Sequence, residues 1–87
     1  MPDRRPLLVI VGRQVKQERE AQGMTQTALA ERAGMRVARL REIEHGRGNP
    51  AFPALDRLVR VGLRIPLSDL IAAAEREASN ELPEHAQ

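Results

Sequence analysis

The sequence has no cysteine, tryptophan or tyrosine and only one phenylalanine among its 87 residues. Without cysteine, neither a disulfide framework nor a thiolate metal site can form. The longest apolar run, residues 7–11, is far too short to span a membrane, and no cleavage-site pattern follows it. We therefore expect one small cytoplasmic domain with an aliphatic core and no membrane segment.

Charge is unevenly distributed, although the net charge is only +2. Residues 1–64 carry 13 basic and 7 acidic side chains, a net +6, whereas residues 65–87 carry one basic and five acidic side chains, a net −4. A basic body with an acidic end is typical of nucleic-acid-binding proteins. The small total also fits an ordinary surface of mixed charge.

Residues 25–44 have the pattern of two short helices around a glycine. Thr25 is a suitable N-cap for a helix over Gln26–Ala33, because its side-chain oxygen can accept from an unpaired N–H of the first turn. Gly34 ends this helix in the left-handed conformation. A second helix, about Val37–Glu44, ends similarly at Gly46. Five apolar residues are predicted to face inward: Leu29, Ala30, Ala33, Leu40 and Ile43. Two helices joined by a short turn with glycine form a helix-turn-helix motif, whose second helix enters the DNA major groove.

Three further helices are predicted around this motif. The first runs over about residues 8–22, although β-branched residues within 7–11 leave a short strand open there. A fourth, over about residues 54–61, ends at Gly62. A fifth begins at Pro66, a residue suited to the first turn of a helix, and runs to about residue 78.

The two ends of the chain are predicted to lie outside the folded domain. Residues 1–6 contain two prolines and form a flexible arm in this reading. A basic arm that touches DNA through Arg4 and Arg5 is the alternative. Residues 7–78 form the helix-turn-helix domain with its C-terminal helix, and residues 79–87 form a polar, disordered tail.

Neither a catalytic nor a metal-binding constellation is visible in the sequence. The two serines, Ser68 and Ser79, have no histidine–carboxylate pair at useful spacing. His45 and His85 are the only histidines. We therefore expect no enzymatic activity, no metal and no cofactor.

From residue 11 to residue 70 the chain resembles the phage repressor and Cro type of helix-turn-helix domain, the xenobiotic-response-element family. The residues that carry the resemblance, in unbroken order, are Val11, Val15, Arg19, Gly23, Met24, Thr25, Gln26, Leu29, Ala30, Glu31, Arg32, Ala33, Gly34, Met35, Leu40, Ile43, Glu44, Gly46, Asn49, Pro50, Leu55, Pro66 and Leu67. The resemblance implies a compact all-α, lambda-repressor-like domain of five helices, with the helix-turn-helix at helices 2 and 3. It also implies a dimer that binds a roughly palindromic operator.

The resemblance places contacts with the DNA backbone at both ends of the motif. Gln26 stands where the family has a phosphate contact, at the positive end of the helix dipole. Arg47, with the backbone N–H groups of Gly48 and Asn49, resembles a second phosphate clamp. An ordinary polar helix start and a simple turn are the alternatives. Arg39, on the second helix of the motif, and His45, at its end, are two further candidates. The six candidates for backbone contact are Gln26, Arg39, His45, Arg47, Gly48 and Asn49.

Arg19 and Glu44 resemble the family's buried ion pair between helices 1 and 3. Such a pair would fix how the second helix of the motif projects, and removal of one partner should cost a few kcal/mol. Two unrelated surface charges remain the alternative, because spacing alone does not bring them together.

The recognition helix departs from the family pattern. Arg36 occupies the position of the usual Ser, Thr or Asp cap and cannot cap. Val37 and Ala38 can pack on a thymine methyl, Glu42 can accept from cytosine N4, and Arg41 can reach guanine or phosphate. Direct readout by these five residues would be sparse, so that specificity also depends on DNA shape. A helix that binds DNA weakly or not at all is the competing interpretation.

An apolar stripe on the fifth helix is the predicted dimer surface. Leu67, Leu70, Ile71 and Ala74 follow helical spacing. We expect Leu67 and Leu70 to face the core, with Ile71 and Ala74 toward a partner; closure of the monomer core by the whole stripe is the alternative. Symmetric pairing would put two recognition helices about 34 Å apart.

The sequence therefore predicts a sequence-specific DNA-binding transcriptional regulator, a repressor or controller protein, that acts as a homodimer on double-stranded DNA. The alternative is a protein-interaction module, such as an antitoxin that binds a toxin, or a module for another regulator. In that case the partner would bind the fifth helix or the acidic tail.

Overall fold

The computed structural model describes residues 5–81, and within this range the chain is all-α. Its five helices are α1 (Arg5–Ala21), α2 (Gln26–Ala33), α3 (Val37–Glu44), α4 (Phe52–Asp56, which continues as a π-helical segment over Arg57–Leu63) and α5 (Leu67–Glu81). The predicted five-helix fold class is confirmed. None of these helices is both long and apolar enough to cross a membrane.

Helix α1 begins at Arg5, three residues before the predicted start. Pro6 lies in its first turn, where the missing N–H has no intrahelical partner to lose and the fixed φ suits a helix. Residues 7–11 are accordingly helical, and the strand alternative is wrong. The predicted flexible arm overlaps α1 at Arg5 and Pro6, and its residues 1–4 lie outside the described range.

Helix α5 begins one residue after Pro66 and continues to Glu81, three residues beyond the predicted end. Residues 79–81 of the predicted disordered tail are therefore helical. Residues 82–87, with His85, lie outside the described range.

The predicted end of α4, at Gly62, was also wrong. Gly62 does not end the helix; the chain continues to Leu63, and Arg64 takes the left-handed conformation at φ 59°. Gly62 serves packing instead, because a β-carbon there would lie 2.8 Å from Leu29 Cδ1 and 3.1 Å from Ala33 Cβ. The π-helical segment can thus approach α2 closely.

Side chains from α2 and from the turn after α1 complete the end of this π-helical segment. Gln22 Nε2 donates to the Leu63 carbonyl at 2.7 Å, and Arg32 Nη1 donates to the Gly62 carbonyl at 3.1 Å. Carbonyls in the last turn of a helix lack intrahelical partners. These two side chains supply partners and anchor α4 to the helices that precede it.

One aliphatic core joins all five helices. Its buried members are Val15, Leu29, Ala30, Ala33, Leu40, Ile43, Leu58, Val59, Leu63 and Leu70. All five residues predicted to face inward from the two-helix motif are among them. Since both helices of the motif have their inner faces in this core, the outer face of α3 is left toward solvent.

Candidate nucleic-acid interface

The local sequence of the two-helix motif produces its geometry. Thr25 Oγ1 accepts from the Ala28 N–H at 3.0 Å, which confirms the predicted N-cap of α2. Gly34 adopts φ 71°, and the following N–H, of Met35, donates to the Ala30 carbonyl at 2.9 Å. This closure requires a residue in the left-handed conformation, which glycine adopts without strain. The turn therefore sends α3 across α2 with Leu40 and Ile43 inward.

Helix α3 presents most of its candidate base-reading residues to solvent. Arg36, Ala38, Arg41 and Glu42 are exposed. Val37 differs, because its side chain is half-buried and packs against the core. Less of Val37 is therefore free for a base contact than the sequence pattern alone indicates.

The beginning of α3 lacks a side-chain cap. Arg36 has the extended backbone of an N-cap, with φ −75° and ψ 144°, but its side chain makes no capping hydrogen bond. The prediction that Arg36 does not cap is confirmed. Arg36 shares a shallow depression with Ala38, Arg39 and Glu42, so the structure brings these four side chains to one surface.

Arg39 and Glu42 face each other one helical turn apart, with 3.7 Å between Arg39 Nη1 and Glu42 Oε1. The two side chains are 41% and 56% exposed. Such surface pairs contribute about 0–1 kcal/mol. Either side chain can therefore exchange its partner for a group on DNA at little cost.

Behind this face, Arg19 and Glu44 form a buried ion pair. Arg19 Nε lies 2.7 Å from Glu44 Oε2, and Arg19 Nη2 lies 3.1 Å from Glu44 Oε1. The residues are 8% and 7% exposed, and Arg19 Nη1 also donates to the Met24 carbonyl at 2.8 Å. The hydrogen bond to Glu44 raises the pKa of Arg19 above its usual value, although burial acts in the opposite direction. This pair ties the end of α3 to α1 and to the turn before α2.

Gln26 has partners that sequence reasoning missed. Its Nε2 donates to Glu44 Oε1 at 3.0 Å, and its Oε1 accepts from Arg41 Nε at 3.3 Å. Three helices thus contribute to one chain of contacts that runs from Arg19 to Arg41. The spacing of these residues in the sequence carries no signal for this arrangement, because α2 and α3 come together only through the turn.

The loop after α3 carries the remaining candidates for backbone contact. His45, Arg47, Gly48 and Asn49 are exposed. His45 Nδ1 lies 2.8 Å from the Arg41 carbonyl oxygen, so this ring is already oriented against α3. The loop therefore continues the exposed face of α3 with a cation and polar groups.

The predicted dimer residues divide differently from the expectation. Leu70 is 3% exposed, Leu67 packs partly against the core, and Ile71 is 36% exposed. Ala74, predicted to face a partner, is only 6% exposed, and this expectation was wrong. Ala74 lies four residues after Leu70 and hence on the same face of α5, which packs against α1.

Helix α5 is further fixed to α1 by polar contacts with Glu77. The Glu77 carboxylate pairs with Arg13 and accepts a hydrogen bond from Gln14 Nε2 at 2.6 Å. Sequence reasoning did not identify two exposed apolar side chains of α4, Phe52 at 66% and Val61 at 51% exposure.

Comparison with known proteins places this geometry among characterised folds. Residues 15–70 match the model of the helix-turn-helix family. The wild-type restriction-modification controller protein C.Esp1396I aligns with a TM-score of 0.78 and 26% identity, over 85% of this chain and 95% of that one. Two single-substitution variants of that protein align with TM-scores of 0.75 and 0.74, each at 27% identity, over 82% of this chain and 89% and 93% of theirs. No curated protein matches the chain.

Proposed function

The chain belongs to the helix-turn-helix family of DNA-binding transcriptional regulators, of the Cro/CI type, and on this premise we propose that it acts as a homodimer on a roughly palindromic DNA site. Its likeness to a restriction-modification controller protein favours a controller role over that of a phage repressor. Control of a restriction–modification gene pair is the corresponding biological setting.

The observation that carries this proposal is the exposed, cationic face of α3. Arg36 and Arg41 are exposed on it, and Arg39 is held only by a surface ion pair. Arg47 follows in the adjoining loop. Guanidinium groups bind phosphate and guanine edges with two donors each, and a helix of this kind fits the major groove.

The base-reading roles fall to a subset of the original candidates. Arg41 and Glu42 are exposed and carry groups that pair with guanine and cytosine, respectively. Ala38 fits a thymine methyl, and Arg36 reaches the groove edge from the helix start. Val37 contributes least, because its side chain packs partly against the core.

Backbone contacts in this proposal come from both sides of α3. Arg39, His45 and Arg47 bind phosphate oxygens through their side chains, and Gly48 and Asn49 through backbone N–H groups. These contacts set the register of α3 in the groove. They carry the salt dependence of binding, because each neutralised phosphate releases counterions.

The proposed dimer forms through α5 with a second copy of the chain. Ile71 is the residue of the predicted stripe that remains exposed in the monomer. Light scattering at micromolar concentration tests this surface: Ile71→Glu should give monomers and Phe52→Glu should not. If Phe52→Glu gave monomers and Ile71→Glu did not, the dimer interface would lie on α4 instead.

Selection from a random DNA pool tests the whole proposal. We expect an enriched palindrome whose half-sites are about one helical turn, or 34 Å, apart. Affinity for this site should fall steeply between about 50 and 200 mM salt. A pool without enrichment, together with a flat salt response, would contradict DNA reading by α3.

A single substitution locates the base contact. Arg41→Ala should weaken the selected site by about 1–3 kcal/mol and relax one base position. Arg76→Ala, which removes the same charge from the groove between α1 and α5, is the matched control. Equal losses on selected and random DNA would make Arg41 a phosphate contact instead.

A further inference from the structure

We infer that Gln26 is a positioning residue that aims Arg41 at a base, rather than a phosphate contact; this inference rests on the proposed DNA-binding function. Its carboxamide lies between the buried Glu44 carboxylate and the exposed Arg41 guanidinium. Donor and acceptor distances of 3.0 Å and 3.3 Å connect the three side chains.

The chemistry of the neighbours permits one orientation of this amide. An ionised carboxylate only accepts hydrogen bonds, and a guanidinium only donates them. The NH2 group of Gln26 must therefore face Glu44, and its oxygen must face Arg41. The reversed amide would set donor against donor and acceptor against acceptor.

Arg19 fixes the other end of this arrangement. Two hydrogen bonds, at 2.7 Å and 3.1 Å, hold the Glu44 carboxylate in the core. Exposure then increases stepwise from buried Glu44 through half-buried Gln26 to exposed Arg41. The orientation of a surface side chain is thus determined by a buried pair.

The contact uses the atom of Arg41 that a base does not need. Gln26 accepts from Nε, so this contact does not use the two terminal nitrogens of the guanidinium. These are the donors that take guanine O6 and N7 as a pair. A free arginine side chain loses rotamer freedom when it is ordered, and Gln26 removes part of that entropic cost before DNA binds.

A double-mutant cycle on the selected DNA site tests the role of Gln26. Gln26→Ala alone should weaken binding about threefold to tenfold, the range for loss of one hydrogen bond, and relax the base position that Arg41 reads. The double variant with Arg41→Ala should bind no more than about twofold worse than Arg41→Ala alone. Multiplied losses, or equal weakening on every DNA sequence, would overturn the inference in favour of a phosphate contact.

A measurement on the free protein separates positioning from DNA binding. The Nε–H of Arg41, followed by nitrogen-resolved NMR, should exchange with solvent about threefold or more faster in Gln26→Ala, and likewise in Gln26→Met, which keeps the side-chain length. Gln17→Ala, at an exposed position of α1, should leave this exchange unchanged. An unchanged Arg41 signal in both Gln26 variants would overturn the inference.

Failure of the proposed function and failure of the positioning role of Gln26 would give different results. A protein that enriches no DNA sequence overturns the proposed function and, with it, base reading by Arg41. A protein that enriches a palindrome but keeps full discrimination in Gln26→Ala overturns only the positioning role. Thermal unfolding of each variant identifies a Gln26 variant that has lost its fold, and Gln26→Met then replaces Gln26→Ala in the cycle.

Discussion

A β-carbon on Gly12 would lie 2.1 Å from the carbonyl oxygen of Ile43, so α1 and α3 meet backbone to backbone. Glycine in a helix interior costs about 0.5–1 kcal/mol relative to alanine. Here it allows α3 to lie against α1 near the Arg19–Glu44 pair. The absence of a side chain and a buried ion pair together set the position of the recognition helix.

Gly12→Ala should destabilise the protein in spite of its better helix propensity. The obstacle is backbone of α3, which cannot rotate away as a flexible side chain can. We expect a net loss of about 1–3 kcal/mol in the free energy of unfolding, measured by urea denaturation. Lys16→Ala, on the exposed side of the same helix, is the control and should change stability little. A stabilised Gly12→Ala variant would mean that α3 shifts readily.

Glu44→Leu should cost about 3 kcal/mol, because Arg19 would remain charged and buried without its counter-ion. Arg19→Met should cost a similar amount. The double variant Arg19→Met with Glu44→Leu should recover most of the loss, since an apolar pair has no charge to desolvate. Chemical denaturation of the four proteins checks this cycle. Additive losses in the double variant would show that the pair does not act as a unit.

Arg36→Ser should stabilise the fold and weaken DNA binding. The backbone of Arg36 already has the extended conformation of an N-cap, and serine would supply the missing acceptor. The expected gain is about 1 kcal/mol, seen as a higher melting temperature. Thr25→Ala, which removes the existing cap of α2, should lose about as much. Unchanged DNA affinity in Arg36→Ser would remove Arg36 from the interface.

Arg64→Gly should stabilise the end of α4. Arg64 is the one residue other than glycine with positive φ in the described range, and this conformation costs about 1–2 kcal/mol for a residue with a β-carbon. Glycine has no such strain, although its greater conformational freedom in the unfolded chain offsets part of the increase in stability. Arg57→Gly, in the same segment at φ −64°, should be destabilising by about 0.5–1 kcal/mol. The same sign for both variants would contradict the assignment of strain to Arg64.

Local signals explain why the helix-turn-helix was predictable. The Thr25 cap, the left-handed Gly34 and the apolar spacing of α2 and α3 each act within a few residues, and the structure has all three as expected. The prediction that α4 ends at Gly62 was wrong because the role of this glycine is not determined by its neighbours in the sequence. Gly62 has the sequence context of a helix stop, but its role depends on Leu29 and Ala33, which lie about 30 residues away in the chain.

The orientation of side chains on α5 was only partly predictable. An apolar stripe at helical spacing identifies a buried face but does not say how wide that face is. Packing of α5 against α1 is broad enough to cover Ala74 as well as Leu70. Ile71 stays exposed, as the spacing predicted, but the same spacing grouped Ala74 with it and so did not predict that Ala74 is buried.

The sequence by itself determined the helices, the caps and the inward faces, because these follow from interactions between residues close in the chain. Tertiary structure alone decided the contact of Gly12 with α3, the π-helical end of α4 and the link from Glu44 through Gln26 to Arg41. Each of these depends on atoms brought within a few ångströms by packing of separate helices. The positions of these residues in the sequence do not show that they come into contact.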